Sequence, residues 1–163
     1  MKTTAKIYQA RGFGIGLTVT LTIMLALVAV LPALAYTGIV TRGDFYTFAA
    51  APVDGVQIGH ARMTRTADEK TIVSVHAFGL LPDTAYGVHV HNQPCNVGDA
   101  GGHYKHDILG PADAVNEIWP AFTTNAAGIG NGYAANDFYA RPEAQSVVIH
   151  APGGAKFACA DLQ

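Results

Sequence analysis

The chain has 163 residues, of which 50% are hydrophobic and 13% charged, and its formal net charge at pH 7 is −2. The length suits one ordinary domain, since domains run to about 100–200 residues. The small net charge and the abundance of apolar residues argue against a disordered chain, and without a Lys/Arg run no nucleic-acid partner is expected. The positive mean hydropathy, +0.21, comes mostly from the segment between Gly12 and Ala35.

Residues 1–35 have the pattern of a secretory signal peptide. Three basic residues precede an apolar run over residues 13–31, and Ala33-Leu34-Ala35 then forms an A-x-A cleavage site. The alternative is an uncleaved membrane anchor, because the run is close to the ~20 residues that span a bilayer. Both interpretations predict an exported protein, whether periplasmic, extracellular or on the cell surface, and only the second gives it a membrane contact.

Export also bears on the two cysteines, Cys95 and Cys159, which an oxidising compartment is expected to pair. The bond would close a loop of about 65 residues and stabilise the folded state by roughly 4 kcal/mol in the chain-entropy model. The alternative is a pair of buried free thiols.

The remaining chain is typical of an all-β domain. Short β-prone runs alternate with Gly, Pro, Asn and Asp, and there is no repeat and no long amphipathic helix pattern. Strands are predicted at residues 56–64, 71–78, 85–91, 121–125, 132–136, 146–150 and 156–159. This number of short strands favours a Greek-key sandwich or flattened barrel over residues 53–163, with residues 36–52 as an N-terminal extension or an extra strand.

Four histidines occupy positions that metal binding would explain. His89 and His91 form an H-x-H pair whose side chains point to one face of a predicted strand. His103 follows two glycines in the long irregular stretch 92–119, and His150 ends an apolar strand. An all-imidazole set suits copper or zinc rather than calcium or magnesium. The other three histidines receive no ligand role, although His106 is close enough to the His103 loop to contact it; they are His60, His76 and His106.

Five separated motifs resemble the copper/zinc superoxide dismutase family, and most of all its exported bacterial members. They are Gly87-Val88-His89-Val90-His91, Cys95, Ala100-Gly101-Gly102-His103, Val148-Ile149-His150, and Gly154-Ala155-Lys156-Phe157-Ala158-Cys159. The resemblance covers nearly all of residues 53–162. It implies an eight-stranded Greek-key β-barrel with a disulfide between Cys95 and Cys159.

The resemblance also implies a site and a reaction. His89, His91, His103 and His150 would bind copper, with His103 in the position that bridges copper to zinc. Superoxide would be the substrate, converted to oxygen and hydrogen peroxide while His103 takes up and releases a proton. Lys156 stands where the family has an arginine that attracts the anion, and lysine lacks the planar fork of arginine.

Two further departures resemble the zinc-free, copper-only members. Ile118 stands at the position of the zinc-binding aspartate, and His106 is the one histidine in the segment from residue 104 to residue 120, so zinc is not expected. The segment between His150 and Cys159 is short, which removes the charged loop that borders the copper channel. Copper is therefore expected to be more open to solvent.

Without zinc, another group must orient the second ring nitrogen of His103. The available carboxylates are Asp107, Asp113 and Glu117, and the hypothesis is that Glu117 or Asp113 takes the place of zinc. The alternative is that they are surface carboxylates in a polar loop. The function predicted is a secreted copper-dependent superoxide dismutase; the alternative is an exported copper-binding or copper-handling protein with little turnover. The sequence does not decide whether the chain forms a homodimer.

Overall fold

The computed structural model describes residues 38–49 and 55–163. The predicted signal peptide, residues 1–35, lies outside these ranges. In the described part no helix is long and apolar enough to cross a membrane.

Eight β-strands make up the regular structure of the described residues, and the all-β prediction is confirmed. They are β1 Ile39–Thr47, β2 Gln57–Arg65, β3 Thr71–Ala77, β4 Ala85–His91, β5 Phe122–Thr123, β6 Gly130–Asn136, β7 Ser146–His150 and β8 Lys156–Asp161. Each predicted strand overlaps one of them. β1 pairs with β2 along most of its length and with β8 at its end.

The strands form one antiparallel sheet in the order β5-β4-β7-β8-β1-β2-β3-β6. Its two edge strands, β5 and β6, come together and nearly close the barrel. Two glycines of β6 make this approach possible, because a Cβ on Gly130 would overlap the Phe122 ring and one on Gly132 would overlap the Pro120 carbonyl oxygen. The predicted Greek-key barrel is confirmed.

Strand β7 is buried on both faces. Val147 and Ile149 belong to the main core, whereas Val148 packs on the opposite face with Ala100 and Cys159. The second cluster lies beneath the connection between β4 and β5, residues 92–121, which contains no strand or helix. This packing fixes the long loop against the sheet beside β7.

The disulfide is formed between Cys95 and Cys159, as predicted. It joins the beginning of the long loop to β8, and the Cys95 N–H donates to Asp161 Oδ1 at 2.7 Å. The covalent bond and the hydrogen bond together tie the loop to the barrel at its first residues.

We predict that Gly132→Ala destabilises the protein by about 2 kcal/mol or more, because the added methyl group has no space beside the Pro120 backbone. The measurement is urea denaturation of the full chain, followed by tryptophan fluorescence. The matched control is Gly102→Ala, whose Cβ would meet no atom within 4 Å. Equal denaturation midpoints for the two variants would show that the β5–β6 closure is not tightly packed.

Candidate metal centre

Three of the four predicted histidines are brought together by the pairing of β4 with β7. Gly87, His89 and His91 share one face of β4, and His150 lies directly opposite Gly87 on β7. A Cβ on Gly87 would lie 3.4 Å from His89 Nε2 and 3.8 Å from His150 Cβ. The glycine therefore leaves space for the imidazoles on either side of it.

The fourth histidine, His103, is placed by the long loop folding back along β4. The Asn92 N–H donates to the Gly102 carbonyl at 3.0 Å, and the Tyr104 N–H donates to the Val90 carbonyl at 2.8 Å. These bonds make His103 an isolated bridge partner of His91. Tyr104 is buried in the core, so the loop is fixed on both sides of His103.

The four imidazoles form one cluster. One ring nitrogen from each of His89, His103 and His150 lies within 4.8 Å of the others. His91, which is fully buried, places its Nε2 3.3 Å from His150 Nε2. The structure therefore brings together all four residues that the sequence singled out as ligands.

Two ring nitrogens of the cluster differ in their hydrogen bonding. His150 Nδ1 lies 2.9 Å from the Gly154 carbonyl oxygen, which only accepts, so this nitrogen carries the proton and Nε2 presents a lone pair to the cluster. His89 Nδ1 is buried and has no hydrogen-bond partner among the described residues. A lone pair aimed at the cluster and a buried ring nitrogen without a partner both fit a shared metal ion, and an all-imidazole set suits copper or zinc.

Glu117 binds the other side of His103. Its Oε2 lies 2.7 Å from His103 Nδ1, and the carboxylate side chain is only 2% exposed. Trp119 Nε1 donates to the same oxygen at 2.8 Å. Asn136 Nδ2 holds this part of the loop by donating to the Glu117 carbonyl at 3.0 Å. A buried carboxylate that receives two N–H groups therefore fixes the orientation of the His103 ring.

The other two candidate carboxylates do not take this role. Asp113 Oδ1 accepts from the N–H groups of Val115 and Asn116, and Asp107 Oδ1 accepts from the Leu109 N–H. Both carboxylates stabilise turns of their own loop, as aspartate side chains commonly do by accepting from nearby backbone N–H groups.

Two more residues of this loop, Ile118 and His106, lie outside the histidine cluster. Ile118, at the expected aspartate position, is fully buried in the main core and offers no ligand atom. His106 is exposed and stacks on Phe138, with ring centroids 4.3 Å apart. Neither residue adds a donor to the cluster.

Trp119 is a site residue that was not predicted from the sequence. Its indole N–H donates to the Glu117 carboxylate, and its ring meets the His89 ring edge-on, with centroids 5.3 Å apart. The available signal was its position, because Trp119 is the chain's one tryptophan and stands two residues after Glu117. An indole in a loop usually needs an acceptor for its N–H when it is partly buried.

Comparison with known proteins identifies the fold. No protein-family model and no curated protein matches the sequence. Among solved structures, Cu/Zn superoxide dismutase from Brucella abortus superposes with a TM-score of 0.58 at 21% identity, over 77% of this chain and 100% of that one. The fold is that of the copper/zinc superoxide dismutases.

Other solved structures with the superoxide dismutase fold are also similar. A superoxide dismutase-like protein from Bacillus subtilis has a TM-score of 0.51 at 15% identity, over 75% of this chain and 97% of that one. A double mutant of such a protein from the same organism has a TM-score of 0.51 at 18% identity, over 74% and 95%. At these identities the likeness establishes the fold, and the chemistry of the site must be argued from its own residues.

Lys156 lies beside the cluster on this superoxide dismutase fold. Its Nζ donates to the Gly101 carbonyl oxygen at 2.7 Å and to the Asp99 carbonyl oxygen. Two of the three ammonium donors are therefore engaged with the loop that carries His103. Lys156 holds this loop in place and also brings a positive charge close to His91 and His150.

The cluster opens to solvent through a cavity of about 360 Å³. Its walls are His89, His103 and His150 together with small residues at the beginning of β4 and in the connection from β7 to β8, namely Ala85, Gly87, Ala151, Pro152, Gly153 and Gly154. None of these wall residues carries a long charged side chain, so a small molecule can reach the imidazoles directly.

Burial keeps these rings neutral. Desolvation, with a smaller contribution from repulsion by the neighbouring His103 and His150 rings, lowers the pKa of His89 to about 4 and that of His91 to about 3. Desolvation also lowers the pKa of His150, against the opposing effect of its bond to the Gly154 carbonyl. At neutral pH these three imidazoles therefore present lone pairs, which is the state that metal ligands require.

We predict that the metal-free protein loses stability as the pH falls from about 6.5 to 4, because unfolded histidines take up protons near pH 6.5 and the folded His89 and His91 do not. The loss is on the order of 2 kcal/mol after allowance for solvent screening. Urea denaturation of the full chain with a chelator present measures it at each pH.

His91→Gln should show a smaller loss of stability over the same pH range, because it removes one suppressed titration. The control is His106→Gln, which removes an exposed histidine outside the cluster. Identical pH slopes for the wild type and His91→Gln would contradict the account.

Proposed function

We propose that this chain is an exported member of the copper/zinc superoxide dismutase family that uses copper without zinc and converts superoxide to oxygen and hydrogen peroxide. The observation that carries the proposal is the position of His103. Its ring centroid lies 4.0, 5.0 and 5.6 Å from those of His89, His91 and His150, and its Nδ1 is bound to a buried carboxylate. Copper, when bound by the four histidines, supplies the one-electron chemistry of the reaction.

His103 is suited to move a proton. The Glu117 carboxylate, which also receives the Trp119 N–H, accepts from Nδ1 and so leaves Nε2 as the nitrogen that can bind copper or a proton. When His103 Nε2 takes up a proton, the resulting positive ring lies 2.7 Å from a buried negative charge. That pairing stabilises the protonated ring and keeps it oriented toward the cavity.

The same contact supports the proposed absence of zinc. The carboxylate occupies the nitrogen of His103 that a second metal ion would need, and the buried Ile118 stands where an aspartate ligand would be required. A carboxylate at this nitrogen serves the orienting purpose that zinc would serve.

Access and charge are consistent with a small anionic substrate. The cavity leads directly to His89, His103 and His150, and the Lys156 ammonium adds positive charge beside the cluster. Superoxide is small enough to enter such a cavity without a dedicated channel. Attraction should be weaker than with an arginine fork, because two Lys156 donors are already engaged with carbonyl groups.

A second candidate function is copper handling with little turnover. The observation that favours it is the engagement of Lys156 with the Asp99 and Gly101 carbonyls, which makes this residue a structural clamp as well as a charge. The four imidazoles would then bind and deliver copper without guiding an anion to it.

The proposal predicts that the copper-loaded full chain removes superoxide in pulse radiolysis and that His103→Ala loses most of this rate at matched copper content. Without the ring, no imidazole links the cluster to Glu117 or carries the proton. The loss should be about 100-fold or more, the usual size of general acid–base contributions.

His106→Ala is the matched control, because His106 is an exposed histidine of the same loop that stacks on Phe138 outside the cluster. It should retain the wild-type rate. Stoichiometric copper binding with equal, low rates in the wild type and His103→Ala would instead support the copper-handling function.

A second prediction concerns Glu117→Gln, which keeps the side-chain size but removes the buried negative charge. Copper affinity should fall by about 10-fold or more, as is usual when a group that orients a metal ligand is changed. The affinity is measured by chelator competition, with the fluorescence of the neighbouring Trp119 as the reporter.

The control for this charge change is Glu143→Gln, since Glu143 is 59% exposed and pairs with Arg141 away from the cluster. Its copper affinity should equal that of the wild type. An equally small effect of both substitutions would show that the Glu117 charge does not support the site.

A further inference from the structure

Two histidines that the four-histidine cluster does not include face each other on another part of the barrel. His60 of β2 and His76 of β3 are direct partners across the antiparallel pair. Their chain neighbours Ala61 and Val75 point into the core, so both imidazoles lie on the outer surface of the sheet. In the sheet, β8 and β1 separate this pair from the β4–β7 cluster.

The spacing of the two rings is that of a metal-binding pair. The centroids of His60 and His76 are 5.4 Å apart, the same separation as that of His91 and His150 in the four-histidine cluster. At this distance each ring can place one nitrogen about 2 Å from a shared ion. Rigid adjacent strands hold the two side chains at this separation.

A hydrogen bond also orients the His76 ring for metal binding. Its Nδ1 lies 2.9 Å from Asn131 Oδ1, on the neighbouring strand β6. The amide oxygen only accepts, so Nδ1 carries the proton and Nε2 keeps its lone pair. The same arrangement orients His150 through the Gly154 carbonyl and His103 through Glu117. It is the usual support of a histidine ligand.

The charges around the pair select the kind of ion. Asp44 of β1 lies opposite His60 and places a negative charge beside the histidine pair. Arg42 and Arg62, two residues further along β1 and β2, face each other on the same outer surface. Two cationic neighbours disfavour an ion held by charge alone, such as calcium. The two arginines matter less for an ion that is held by strong bonds to imidazole nitrogen. Among the divalent ions of the first transition row, Cu(II) forms the strongest such bonds.

We propose that His60 and His76 form a second metal site that binds one Cu(II) ion on the outer face of the barrel, with Asn131 positioning His76. The site is independent of the four-histidine cluster and of the proposed dismutase activity. It gives the chain a capacity of two copper ions, one beside the long loop and one on the β2–β3 surface.

The test is a titration of the full chain with Cu(II), followed by electron paramagnetic resonance and by chelator competition. The wild type should bind two equivalents with distinct spectra. His60→Gln and His76→Gln should each lose the weaker equivalent and retain the tighter one. Because both side chains lie on the surface, neither substitution creates a cavity in the core.

Two further variants make the test specific. Asn131→Ala should weaken the second equivalent by about 10-fold and leave the first unchanged, because it removes only the group that orients His76. His106→Gln, the matched loss of an exposed histidine, should retain both equivalents. A wild type that binds one equivalent, or a second equivalent that persists in both His60→Gln and His76→Gln, would overturn the proposal.

Discussion

The arrangement of the site depends on the antiparallel ladder between β4 and β7. It places Gly87 opposite His150, so that the H-x-H pair and the last residue of β7 share one face of the sheet. Three imidazoles are thereby positioned by strands whose inner faces are buried in the core, before any loop contributes. Because a strand side chain cannot change face without a register slip, this geometry is as stable as the barrel itself.

The long loop then completes the cluster, and it can do so because its own polar groups are satisfied. An irregular segment of this length has no ladder to pair its backbone, so side chains supply the partners. Asn116 binds the Asp107 and Pro111 carbonyls, Asn136 binds the Glu117 carbonyl, and Lys156 binds the Gly101 carbonyl. These bonds, together with the disulfide, hold His103 and Glu117 at a fixed separation.

Burial gives the site its electrostatic character. Neutral imidazoles at low pKa present lone pairs inward, and one buried carboxylate beyond His103 balances any positive charge that this ring acquires. In the proposed function, the resulting chain of contacts, from the cluster through His103 to Glu117 and Trp119, would couple copper binding to proton uptake at a single ring. On the β2–β3 surface, by contrast, the His60 and His76 rings are held by adjacent strands without a buried carboxylate. The proposed site there should therefore bind its metal ion more weakly than the four-histidine cluster.

The sequence by itself predicted seven of the eight strands and the four candidate ligands, and it favoured pairing of the two cysteines, because strand periodicity, turn residues and short histidine motifs can be read along the chain; it left β1 as an extension or an extra strand. It could not choose among Asp107, Asp113 and Glu117, since an irregular loop has no periodicity from which side-chain direction follows. Tertiary structure decided that choice by burying Ile118 and so aiming Glu117 at His103. Tertiary structure also placed His60 opposite His76, because the register of two paired strands depends on both of them and cannot be derived from either strand alone.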